Sequence, residues 1–218
     1  MDRIRTVMFE IARIVLTGAL IAVIAVAVWN YLHRPTLERF RSVYVAASQD
    51  EREAIAQTYL KSFSPTELIT VLSQQYGEDE CHVQSHPIGR ALYRENQNFA
   101  ESFRTCPNTC SYGCFHGVMM EMFTTDSDTL GGAIEDETPE AYLSHVSRES
   151  STLCGRPEVL SVAHPQYCTH GLGHVFALIA GTDLNAAVKS CGDLASPAAV
   201  DSCTSGAFME YLSNPAAM

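Results

Sequence analysis

Histidines recur in pairs four residues apart, His82 with His86 beside Cys81 and His170 with His174 near Cys168. On a helix, residues i and i+4 share one face. Two imidazoles so placed can chelate one metal ion, as they do in many zinc sites. His116 follows Cys114 by two residues, just as His170 follows Cys168. Imidazole with thiolate suits zinc, copper or haem iron. Glu121 and Glu210 stand on apolar segments, where a carboxylate needs a partner. Each could complete a metal shell, act as acid or base, or form an ion pair with Arg90 or Arg94. The candidate ligands are therefore His82, His86, His116, His170, His174, Glu121 and Glu210. The competing reading keeps the histidines as packing residues that bond backbone carbonyls beside close helix contacts. His145 and His164 are assigned no role.

These landmarks repeat. His86-x-x-Gly89, Cys106 and Cys114-x-x-Gly117-x-x-Met120-Glu121 match His170-x-x-Gly173, Cys191 and Cys203-x-x-Gly206-x-x-Met209-Glu210. The offsets are 84, 85 and 89 residues. Agreement of type, order and spacing points to a duplicated three-helix unit whose copies bury a shared face. Start signals support helices throughout. Ser64-Pro65-Thr66-Glu67 is a capping box, Thr138-Pro139 and Ser196-Pro197 repeat the cap-then-proline device, and Asp183 can cap the segment after it. No run of alternating β-branched residues supports a strand.

Eight cysteines, Cys81, Cys106, Cys110, Cys114, Cys154, Cys168, Cys191 and Cys203, all follow residue 80. An even count at this density reads as disulfides in an oxidising compartment. The repeat suggests equivalent bonds, Cys106–Cys114 and Cys191–Cys203, and leaves Cys110 and Cys154 to pair with each other. A rival reading of Cys106, Cys110 and Cys114 with Met119, Met120 and Met122 is a soft Cu(I) site.

From Ile14 to Leu32 no charged residue occurs. Nineteen residues rise roughly 28 Å, about one hydrocarbon core. The segment reads as a single transmembrane anchor through the lipid bilayer, residues 14–32, with Trp29 and Tyr31 at one interface. A small-x-small site at Ala25-Val26-Ala27 would instead mark a signal peptide. The fold class expected is all-α: one N-terminal transmembrane helix, then a disulfide-stapled helical domain of two three-helix copies, placed extracytoplasmically. The expected organisation is 1–34 anchor or signal peptide, 35–80 helical linker or hairpin, 81–125 first repeat, 126–163 acidic loop and connecting helix, and 164–218 second repeat.

A formal charge of −11, with Lys61 and Lys189 the only lysines, argues against a nucleic-acid partner, since phosphate binding needs clustered cations. H-E-x-x-H, P-loop, G-x-S-x-G, dinucleotide and C-x-x-C-H signatures are all absent from the sequence. The functional expectation is a membrane-anchored domain that binds a transition metal (zinc or copper) or haem through paired histidines. Alternatives are a non-catalytic scaffold subunit of a membrane complex, or a homo-oligomer, and an exported enzyme using a His/Glu cluster. No reaction can be named from the sequence.

Overall fold

A computed structural model describes residues 2–32, 34–125, 138–150, 152–181 and 183–213. The described residues are helical and contain no strand. The acidic loop expected at the start of 126–163 lies, over 126–137, outside them. The chain divides into two compact units, Met1–Thr36 and Leu37–Met218.

The first unit holds helix α1, Asp2–Leu32. No helix among the described residues is long and apolar enough to cross a membrane. This corrects the expectation of a transmembrane anchor over 14–32 and of a single-pass membrane location. The physical reason lies in the count. A charge-free count is not an apolar length: Thr17, Gly18, Asn30 and Tyr31 all fall within the 14–32 stretch.

The second unit begins with α2 (Leu37–Ala46), α3 (Gln49–Leu60) and α4 (Pro65–Tyr76). The capping box forms at α4: Ser64 N–H donates to Glu67 Oε2 at 2.8 Å and Glu67 N–H to Ser64 Oγ at 3.3 Å. These helices supply a floor of buried aromatic and aliphatic residues, with Phe40, Tyr44, Leu68, Ile69 and Leu72 fully enclosed. Tyr44 has its hydroxyl satisfied by the Gln84 carbonyl at 2.6 Å, which ties this floor to the next helix.

The unit that the sequence landmarks divide into two matching stretches follows. Its first copy is α5 (Cys81–Asn96), α6 (Phe99–Thr105) and α7 (Gly113–Thr125). Helices α8 (Pro139–Ser150) and α9 (Pro157–Leu160) connect it to the second copy, α10 (Pro165–Ala180), α11 (Leu184–Cys191) and α12 (Pro197–Ser213). The expected caps are present: Thr138 Oγ1, Asp183 Oδ1 and Ser196 Oγ each accept from the backbone N–H three residues on.

Glycines set the spacing inside each copy. A Cβ on Gly89 of α5 would lie 2.0 Å from the Cys114 carbonyl of α7, and one on Gly117 would lie 2.1 Å from the His86 carbonyl. In the second copy, Gly173 meets the Cys203 carbonyl at 1.9 Å and Gly206 meets His170 at 2.0 Å. The four contacts obey the same offsets that relate the sequences. Each helix thus offers its partner a glycine, and no other residue fits between the two backbones. Helix α10 also packs on α7, so the two copies share a face.

Four disulfides staple this unit, and no cysteine is free. Cys106–Cys114 and Cys191–Cys203 occupy equivalent places in the two copies. The bond expected between Cys110 and Cys154 does not form. Cys110 instead joins Cys81, and Cys154 joins Cys168. The cause is local. Cys110, Ser111 and Tyr112 all take left-handed backbone angles, with φ of 55°, 48° and 64°, and this turn folds Cys110 back beneath the start of α5. The thiol–thioether Cu(I) reading falls too, because the three cysteines are oxidised and Met119, Met120 and Met122 are buried in the core.

Substituting Gly173 or Gly206 by Ala should destabilise the protein by on the order of 3 kcal/mol, the upper range for overpacking. Gly155 has open space where its Cβ would go, so Gly155→Ala should leave the denaturation midpoint unchanged. Equal effects at all three positions in urea unfolding would contradict the crossing.

Candidate metal centre

All five histidines singled out by spacing meet in one cluster. Helix α5 supplies His82 and His86, α7 supplies His116, and α10 supplies His170 and His174. Neighbouring ring centroids stand between 4.7 and 6.0 Å apart. The glycine crossings make this convergence possible, because they bring α5 to α7 and α10 to α12 at backbone contact. Gly171 makes room for side chains across the copies: a Cβ there would lie 2.6 Å from the end of Met119 and 2.7 Å from the His116 ring.

The outward nitrogens of three rings face acceptors. His82 Nδ1 lies 3.1 Å from the Ser111 carbonyl, His116 Nε2 lies 2.8 Å from the Tyr167 carbonyl, and His174 Nδ1 lies 3.0 Å from Glu210 Oε2. Neither a carbonyl nor a carboxylate can donate, so each of these nitrogens carries the ring proton. The opposite nitrogens then hold bare lone pairs, and all three point inward. His116 Nδ1 is 3.3 Å from His82 Nε2, which is 3.4 Å from His174 Nε2. Three lone pairs facing one another without a proton repel. A cation at their centre converts that repulsion into coordination.

Burial works in the same direction. His86, His116 and His174 titrate well below the ordinary imidazole range, chiefly because burial disfavours their charged forms and secondarily because neighbouring rings would repel a second charge. His82 is lowered by burial against the bonds from Ser111 and Cys110, and His170 is lowered to about 4 by burial and His82. Neutral imidazole is the ligand form. Glu210 is pushed up by burial, opposed by Arg90. A carboxylate behind a ligating imidazole fixes its tautomer and raises its basicity.

Four ring nitrogens, from His82, His116, His170 and His174, lie within 4.8 Å of one another. His170 is the least buried of them, and with His82 it borders a cleft of about 440 Å³ that Asp79 and Met209 also line. This gives an ion a route from solvent. The two glutamates part company. Glu210 joins the cluster, whereas the fully buried Glu121 binds Arg90 at 3.0 Å and also Arg94, both of which reach Glu53. Residue-type signals did not reveal the carbonyls of Ser111 and Tyr167, since any residue carries one. The strained turn at 110–112 contains no glycine, so its sequence gives no warning that it aims the Ser111 carbonyl at His82. His164 caps α10 through Nδ1.

The metal-free protein should lose stability as acid is added. Its buried histidines have pKa values below the unfolded value of about 6.5, so the unfolded state binds protons first. Their contribution is complete above about pH 6.5 and drains as pH falls toward His170's value of about 4. Thermal unfolding of metal-stripped protein should show a falling midpoint between pH 7 and 5. A flat profile there would contradict a neutral buried cluster.

The chain matches no protein-family model, no curated protein and no solved structure, so its functional reading rests on this geometry.

Proposed function

We propose that the protein is a transition-metal-binding domain holding one divalent ion, zinc or copper, on the imidazoles of His82, His116, His170 and His174. One observation carries the reading: the inward lone pairs stand 3.3 and 3.4 Å apart. A tetrahedral centre with metal–nitrogen bonds of about 2.0–2.1 Å has ligand–ligand edges of about 3.3–3.4 Å. The rings are thus spaced for an ion while their outer nitrogens are already occupied. A packing role for the same histidines needs their nitrogens bonded outward, and it does not explain three bare nitrogens turned on one another.

The donor set narrows the ion. Four neutral imidazoles suit zinc and copper, and no thiolate remains to favour a softer ion. Haem is disfavoured, because rings packed at 4.7–6.0 Å leave no slot for a macrocycle. The ion's charge is met by Glu210, which bonds the far side of the His174 ring. A general acid–base enzyme fits less well, since burial holds these imidazoles neutral and keeps them from taking up a proton near neutral pH.

Metal-stripped full-length protein should take up Zn(II), and Co(II) in its place should give the intense visible bands of a tetrahedral site. His116→Ala and His174→Ala should each weaken binding at least about 100-fold, beyond the 10- to 100-fold typical of changes behind the ligands. Competition with a coloured chelator measures this. Failure to bind Zn(II), Co(II) or Cu(II) at micromolar concentration, or unchanged affinity in both variants, would defeat the proposal.

A further inference from the structure

His86 takes no part in the four-imidazole centre, yet it is only 5% exposed and its Nε2 has no hydrogen-bond partner. A buried polar atom left unpaired costs free energy. The atom does not stand alone. A ring nitrogen of His86, a ring nitrogen of His174 and a carboxylate oxygen of Glu210 lie within 4.8 Å of one another. The His174 ring therefore faces two places at once, with Nε2 toward His82 and Nδ1 toward Glu210.

The duplication shows what is unusual about this second place. The offset of 84 that relates His86 to His170 also relates Arg90 to His174, and the offset of 89 relates Glu121 to Glu210. In the first copy this pair is a guanidinium bonded to a carboxylate. In the second copy an imidazole, which carries no permanent charge, stands against the carboxylate in place of the guanidinium. The second carboxylate therefore lacks the permanent cation that its counterpart bonds directly, and Arg90 acts on it only as a neighbouring charge. Arg90 is itself bonded by Glu53 and Glu121.

We infer that a second divalent metal ion binds between His86 Nε2, the Glu210 carboxylate and His174 Nδ1, making His174 a bridge between two ions. This rests on the four-imidazole reading, whose Nε2 bond to His174 it shares. As the second metal–nitrogen bond forms, Nδ1 releases its proton to solvent and the ring becomes an imidazolate. With bonds of about 2 Å at each nitrogen, the two ions would stand about 6 Å apart. The class of ligand is again zinc or copper, here with one carboxylate donor.

The test loads metal-stripped full-length protein with Cu(II) and counts bound copper after gel filtration. Two equivalents are expected in the native protein and one in His86→Ala, and His86→Gln, closer in volume to histidine, should also hold one. Bridged copper ions couple magnetically, so the native protein should show a weakened paramagnetic resonance signal. The one-copper variants should regain the full signal of an isolated ion. One equivalent in native protein and variants alike overturns the second site while the four-imidazole centre stands. Two equivalents with two uncoupled signals overturns the bridge. No bound copper at all overturns both readings.

Discussion

The glycine contacts at two helix crossings govern the rest of the structure. Wherever α5 meets α7, or α10 meets α12, a backbone carbonyl occupies the volume that a side chain would need, at 1.9–2.1 Å from the missing Cβ. Helices at that separation cannot slide or rotate without collision. Any residue one turn along from such a contact is therefore fixed in direction as well as position. His86 and His170 supply the contacted carbonyls themselves, and His82 and His174 sit one turn away on the same faces. The disulfides Cys106–Cys114 and Cys191–Cys203 tie one helix of each crossing, α7 and α12, to the end of α6 and to α11.

Electrostatics then turns a packed interface into a candidate site. Ordinarily, histidines in a core settle by donating and accepting within the protein. Here the outward bonds to Ser111, Tyr167 and Glu210 consume the donors and leave the inward nitrogens bare. Burial keeps the rings from gaining the protons that would otherwise fill the gap. The strained turn at 110–112 belongs to the same arrangement. Three successive left-handed residues are costly, and the turn is held by the Cys81–Cys110 bond and by Ser111 N–H donating to Glu78. What it secures is the carbonyl that sets the His82 tautomer.

Much of this was legible in the sequence, for identifiable reasons. Four-residue spacing placed His82 with His86 and His170 with His174, and the repeat aligned the glycines that proved to be contact points. The helix caps were readable because they depend on side-chain identity at fixed offsets. Other features were not. Glu121 and Glu210 are equivalent by position, and only their opposite partners, Arg90 and His174, separate an ion pair from a candidate site. The Cys110–Cys154 expectation failed because a left-handed turn without glycine leaves no mark on the chain. The span over 14–32 was misread because a charge-free count admitted Asn30 as though it were apolar.

X-ray absorption on full-length His86→Ala protein loaded with one equivalent of zinc, which isolates the four-imidazole centre, tests the central claim most directly. A centre made of imidazoles gives a first shell of nitrogen alone at about 2.0–2.1 Å, together with the outer-shell scattering that rigid imidazole rings produce. A shell dominated by carboxylate or water oxygen without imidazole scattering, or one containing sulfur, would contradict it.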